Sequence, residues 1–196
     1  MATKTVGNSH LAWQDIAANA VVIGSAIDIT TLRAIAFHAL LGRAGGTAFS
    51  INYPTLRFEA SGKASGNDTW IPLLHLQPAV GASIANTTLN GAVSAGATTC
   101  VVAVATNIAV GDSLFLGHTT LTANYELVRV KTISGTTVTF EEACTNAHDT
   151  GALVTSQPER YWEPFDVSPY TRARTVIDNA GNAQGLKAQV LYTTFA

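Results

Sequence analysis

Short runs of β-branched and aromatic residues, each closed by a turn signal, follow one another about every ten residues along this chain, which is the rhythm of an all-β protein. Val, Ile and Thr suit pleated surfaces because their branched side chains are already restricted. Val21-Val22-Ile23 and Ile27-Asp28-Ile29 read as one strand broken at Gly24-Ser25. Leu32 to Leu41 fits a helical face through Leu32, Ile35, Ala36, Ala39 and Leu40, and it also fits a buried strand. Its strand-like neighbours favour the strand. Thr55 to Ala60 and Thr69 to Leu76 follow, on either side of a polar turn over 61–68. The second of these is apolar on both faces of its alternation, which predicts cover on both sides, and Pro72 assigns it to an edge or a bulge.

The pattern changes near Pro78 and resumes in its first style at Glu159. Between them lies a block with turns of its own. Thr98 to Ala105 is a strand, and Val110-Gly111-Asp112 turns into Ser113-Leu114-Phe115-Leu116. Glu126 to Ile133 and Thr136 to Phe140 flank Ser134-Gly135, a hairpin turn in which Gly135 supplies the positive φ required. Asp149-Thr150-Gly151 turns again into Ala152-Leu153-Val154. Residues 83–155 therefore predict a small β-barrel. Residues 20–82 and 156–196 are each too short to close a sandwich, but together they supply roughly seven or eight strands, the count of a jelly roll. The expected architecture is a discontinuous, jelly-roll-like β-sandwich (20–82 plus 156–196) with the small barrel (83–155) inserted in one of its surface loops. Residues 1–19 show no clear period and read as an N-terminal arm.

Hydrophobic residues make up 47% of the chain, enough for a real core, while charged residues make up only 12%. That pairing suggests that some surface is buried against a partner. A net charge of −2 builds no positive field for nucleic acid. Arg172 and Arg174 form the densest basic spot, with Asp166 and Asp178 nearby, and read as a solvated strand face. No apolar run reaches the roughly 18 residues of a membrane span. Met1 to Ala20 lacks the pattern of a signal peptide.

Reactive chemistry is sparse. Gly-x-Ser-x-Gly is absent, so there is no nucleophile elbow. Gly42-Arg43-Ala44-Gly45-Gly46-Thr47 lacks the Lys of a phosphate cradle. His10, His38, His75, His118 and His148 are scattered, with no two at ligand spacing beside a carboxylate, and Cys100 and Cys144 match no metal spacing. His148-Asp149 reads as a turn ahead of Gly151, and Glu141-Glu142 as a solvated loop. The expectation is a non-enzyme with no cofactor and no metal. Tyr161, Trp162 and Tyr170 could form an aromatic platform for a glycan, with core packing of a sandwich as the plainer alternative. Cys100 and Cys144 read as buried thiols, with a disulfide open if their strands are neighbours.

Two features carry a resemblance. One is the series Asn90-Gly91-Ala92-Val93-Ser94-Ala95-Gly96-Ala97-Thr98-Thr99, Val110 to Leu116, Tyr125 to Val130, Ser134 to Thr139 and His148 to Ala152. It resembles the small barrel modules carried by structural proteins of tailed bacteriophages. The other is the closing pair Arg172 to Asn179 and Gln189 to Tyr192, which is similar to the last hairpin of phage virion β-sandwich proteins, including capsid decoration (cement) proteins. The resemblance implies a virion structural protein on the outer surface of the capsid, assembled in the host cytoplasm. Its implied partners are the major capsid protein and further copies of itself, as a homodimer or homotrimer. It supplies no catalytic positions. A receptor- or glycan-binding module of a tail or baseplate is the alternative. On the arm, Leu11, Trp13 and Ile16 are the expected contact with a neighbouring subunit, with Trp13 covering its own sandwich as the equal alternative.

Overall fold

The computed structural model describes residues 4–43, 54–66, 70–76, 84–156, 159–182 and 184–196. The glycine-rich stretch is described only at Gly42 and Arg43, its remainder lying outside these residues. In chain order the strands are β1 (Lys4–Ile16), β2 (Val21–Ile23), β3 (Ile27–Asp28), β4 (Ala34–Arg43), β5 (Thr55–Ser61) and β6 (Ile71–Leu76). Then come β7 (Asn86–Thr88), β8 (Thr99–Val101), β9 (Ser113–Leu116), β10 (Glu126–Ser134), β11 (Thr137–Phe140) and β12 (Leu153–Ser156). The last three are β13 (Glu159–Asp166), β14 (Arg172–Asp178) and β15 (Leu186–Phe195). Thr122–Asn124 is a single 3-10 turn, and no α-helix occurs among the described residues. The all-β expectation holds, and the ambiguous stretch from Leu32 to Leu41 falls largely within strand β4.

The chain forms two compact units, one built on β1–β6 and β13–β15, the other on β7–β12. In the first unit one sheet runs β1-β15-β4-β13 and the other β2-β14-β5-β6, with β3 also pairing β14. With β2 and β3 counted as one interrupted strand, the sheets read first-eighth-third-sixth and second-seventh-fourth-fifth. That order is the double Greek key of a jelly roll. Alternate residues of β4 (Ile35, Phe37, Ala39 and Leu41) turn inward and meet Leu56 and Phe58 of β5 and Ala173 and Ile177 of β14. The rings of Phe37 and Phe58 stack at 4.6 Å across the layer, and Phe165 closes on Phe58 edge-on at 5.7 Å.

One histidine ties the two layers together. β1 carries an extra residue relative to β15 between the pairs Ser9–Leu191 and Leu11–Val190, and that residue is His10. A bulge re-aims the side chain it carries. The ring leans against Phe37 and Tyr192, and its Nε2 accepts the backbone N–H of Thr175 in β14 at 3.2 Å. This N–H is available because the β2–β3 strand breaks opposite it, where Gly24 takes the Thr175 carbonyl at 2.9 Å. A Cβ on Gly24 would stand 2.1 Å from the imidazole Nε2, so the break needs a residue without a side chain. Burial pushes the His10 imidazole down to about 4.

Two expectations are corrected here. Residues 4–16 do not form an arm; they are β1, paired with β15 from Lys4 to Ile16. Its register shifts at three places, and each bulge breaks the two-residue period that would have marked a strand. The strand β6 is both at the sheet edge and bulged, as Pro72 required, the register slipping between Phe58 and Glu59 opposite it. It is not covered on both sides, since Ile71 is exposed and Leu73 only half-buried.

In the second unit six strands run β7-β12-β9-β10-β11-β8. The ends of this curled sheet meet through a Leu89–Val102 bridge, with Asn90 N–H donating to the Val101 carbonyl and Ala103 N–H to that of Thr88, both at 2.8 Å. Leu114, Leu116, Val130, Val138, Phe140 and Val154 fill the interior. The β10–β11 hairpin pairs Ser134 with Thr137, so its two-residue turn is Gly135-Thr136, one position beyond the sequence reading. Gly135 takes φ +59°, the positive φ that the first central position of such a turn demands.

Candidate functional site

Alternation on the first sheet of the sandwich decides what faces outward. With Phe37 and Ala39 inside, His38 and Leu40 of β4 point out, and His38 lies directly opposite Trp162 of β13. Their rings sit 6.0 Å apart. Together with Tyr161 and Leu191 they line a shallow, mostly apolar hollow of about 330 Å³. Trp162 is 57% exposed, the largest side chain among the exposed hydrophobics. β13 is also an edge strand, and Pro164 and Glu163 on it are exposed, features that blunt edge-to-edge pairing.

Of the three aromatics expected to form one platform, Tyr161 and Trp162 line this hollow, but Tyr170 does not. Tyr170 packs against the sandwich core from a turn in which its N–H bonds to the Val167 carbonyl. Tyr161 also reaches the core, because it alternates with Trp162. Of the expected contact residues on β1, Ile16 lies in the sandwich core, Leu11 is half-buried against it, and Trp13 is buried. With Ile16 and Trp13 buried within the chain itself, those two are not open contact residues.

On the outer face of the second sheet, Arg174 clamps Glu59 through Nε and Nη2, each at 2.8 Å. Its guanidinium lies 4.1 Å above the Trp70 ring, and that of Arg172 lies 5.3 Å from it. The basic spot is thus occupied by a carboxylate and an indole, and it offers no bare cationic surface for phosphate.

The second unit holds a polar cluster that the sequence reading kept apart. His148 is buried. Its Nδ1 lies 2.7 Å from the Gly117 carbonyl, and its Nε2 lies 2.6 Å from Glu126 Oε1. The carboxylate also accepts the N–H groups of Thr145 at 2.8 Å and Asn146 at 3.2 Å. Burial works to raise the Glu126 carboxyl, and the hydrogen bonds from His148, Thr145 and Asn146 outweigh it and hold it below the usual carboxylate range. The Cys144 thiol shares the cluster; the ligand atoms of Glu126, Cys144 and His148 all lie within 4.8 Å of one another. Cys144 and Cys100 are both free thiols. Burial pushes Cys144 up to about 12 and Cys100 up to about 11, so neither is poised as a nucleophile. Asp149, the sequence neighbour of His148, turns instead to His118 and Thr119. Cys144 and His148 stand four positions apart in the sequence; what was missing was their carboxylate, which only closure of the barrel supplies from β10.

Fold and surface together define a jelly-roll sandwich that carries a small barrel and an open aromatic hollow. No family model matches the chain. No curated protein matches it either. Among solved structures it is similar to the crystal structure of the SPBc2 prophage-derived protein YomS, with a TM-score of 0.35 and 9% identity over 100% of this chain and 96% of that one.

Proposed function

We propose that this chain is a non-enzymatic structural protein of a tailed-phage particle. In this reading it binds the major capsid protein lattice from outside as a decoration protein and associates with copies of itself. The observation that carries the reading is the outward face of the β1-β15-β4-β13 sheet, where Trp162 stands open beside His38, Leu40 and Leu191. An exposed indole set in an apolar hollow is the composition of a contact centre that becomes favourable once a partner excludes water. A chain with 12% charged residues also has little surface charge to oppose close packing. On a repeating lattice, many such modest contacts add through avidity.

The test is cosedimentation of the purified chain with capsids of the phage whose genome encodes it, together with mass spectrometry of purified particles. The expected result is a fixed number of copies per capsid and loss of binding in Trp162→Ala. Absence from the particles together with no lattice binding sinks the reading. A glycan-binding role on a tail or baseplate draws on the same hollow, since Tyr161 and Trp162 both line it. A glycan array distinguishes it, with saturable binding lost in Trp162→Ala as its signature.

A further inference from the structure

We propose that Glu126, Cys144 and His148 form a binding site for one zinc-like divalent cation inside the small barrel. Imidazole, thiolate and carboxylate are the donors such an ion takes, and three of them leave one position of its tetrahedron open. Their ligand atoms lie within 4.8 Å of one another, with His148 and Cys144 buried. The surroundings are those of a built site. Gly117's carbonyl takes the Nδ1 proton of His148 at 2.7 Å, which leaves Nε2 as the ligating nitrogen. The N–H groups of Thr145 and Asn146 orient the carboxylate.

The backbone around the donors is equally fixed. His148 exchanges two 2.8 Å hydrogen bonds with Val93, and Cys144 is held by Ala97 and Gly96, also at 2.8 Å. Donors carried on tied backbone lose little freedom when an ion arrives.

The test uses the untagged full-length chain, dialysed free of metal and titrated with Zn²⁺, and with Co²⁺ as a spectroscopic probe. The expected result is one ion per chain, with a thiolate-to-cobalt absorption band that disappears in Cys144→Ser. Glu126→Gln should weaken binding at least tenfold. No saturable binding, or a cobalt spectrum without the thiolate band, overturns the proposal. Because these variants alter a packed interior, a second measurement uses the unaltered chain: Zn²⁺ should slow alkylation of Cys144, mapped by mass spectrometry. An unchanged rate also overturns it.

Discussion

Acidification should loosen the sandwich through one residue, His10. Its Nε2 accepts the Thr175 N–H, so it must stay unprotonated in the folded chain. Burial lowers its pKa from 6.5 to about 4. The unfolded chain therefore takes up this proton first as the pH falls. The stability linked to His10 is fully present above pH 6.5, is lost progressively as the pH drops to about 4, and is flat below that. At about 1.36 kcal/mol per pH unit the ceiling is about 3.4 kcal/mol. The ring is only half-buried, and solvent screening brings the expected loss to about 1–2 kcal/mol. The assay is urea unfolding followed by tryptophan fluorescence across this range, for the parent chain and for His10→Gln. A glutamine carbonyl can accept the same N–H without titrating, so the difference between the two curves isolates the imidazole. The parent should lose about 1–2 kcal/mol more than the variant between about pH 7 and pH 4. Parallel curves would refute the reasoning.

Four further outcomes are expected. Gly24→Ala should destabilise the chain by about 1–3 kcal/mol, because its Cβ meets the His10 ring, and by clearly less in a His10→Ala background; chemical denaturation of the double-mutant cycle measures the difference. Phe37→Ala should cost about 3–5 kcal/mol by emptying the inter-sheet stack with Phe58, as read by thermal unfolding. Trp162→Ala should leave stability within about 0.5 kcal/mol while removing particle binding, since its ring is more exposed than buried. Zinc removal should lower the thermal midpoint of a loaded chain, with no such shift in Cys144→Ser.

The architecture was legible because its signals are local. Turn residues and two-residue alternation mark strands one at a time, and the change of style at Pro78 and Glu159 separates host from insert. The Gly24-Ser25 break was visible too, but its cause was not: nothing local says that a histidine fourteen positions earlier will fill the gap. The first strand was missed for a related reason. Its bulges shift the inward face from one parity to the other, so Leu11, Trp13 and Ile16 look aperiodic although they all end up buried or half-buried. The Glu126–Cys144–His148 cluster lay beyond reach, because β10 and the 141–148 loop meet only when the barrel closes. The aromatic platform was half legible: Tyr161 and Trp162 are neighbours on one strand, whereas the place of Tyr170 depends on a turn into the core.

The strand order has a consequence for how the molecule comes into being. β15 lies between β1 and β4, and β14 between β2 and β5, so each sheet receives an interior member from the final stretch of the chain. During synthesis β5 and β6 can pair at once, but β1, β2, β3 and β4 have no ladder to join and must wait, with the whole barrel sequence translated in the interval. A ribosome that stalls before Leu186 leaves β1 and β4 without the strand that joins them, and such a product should be cleared by proteolysis rather than accumulate as a truncated sandwich.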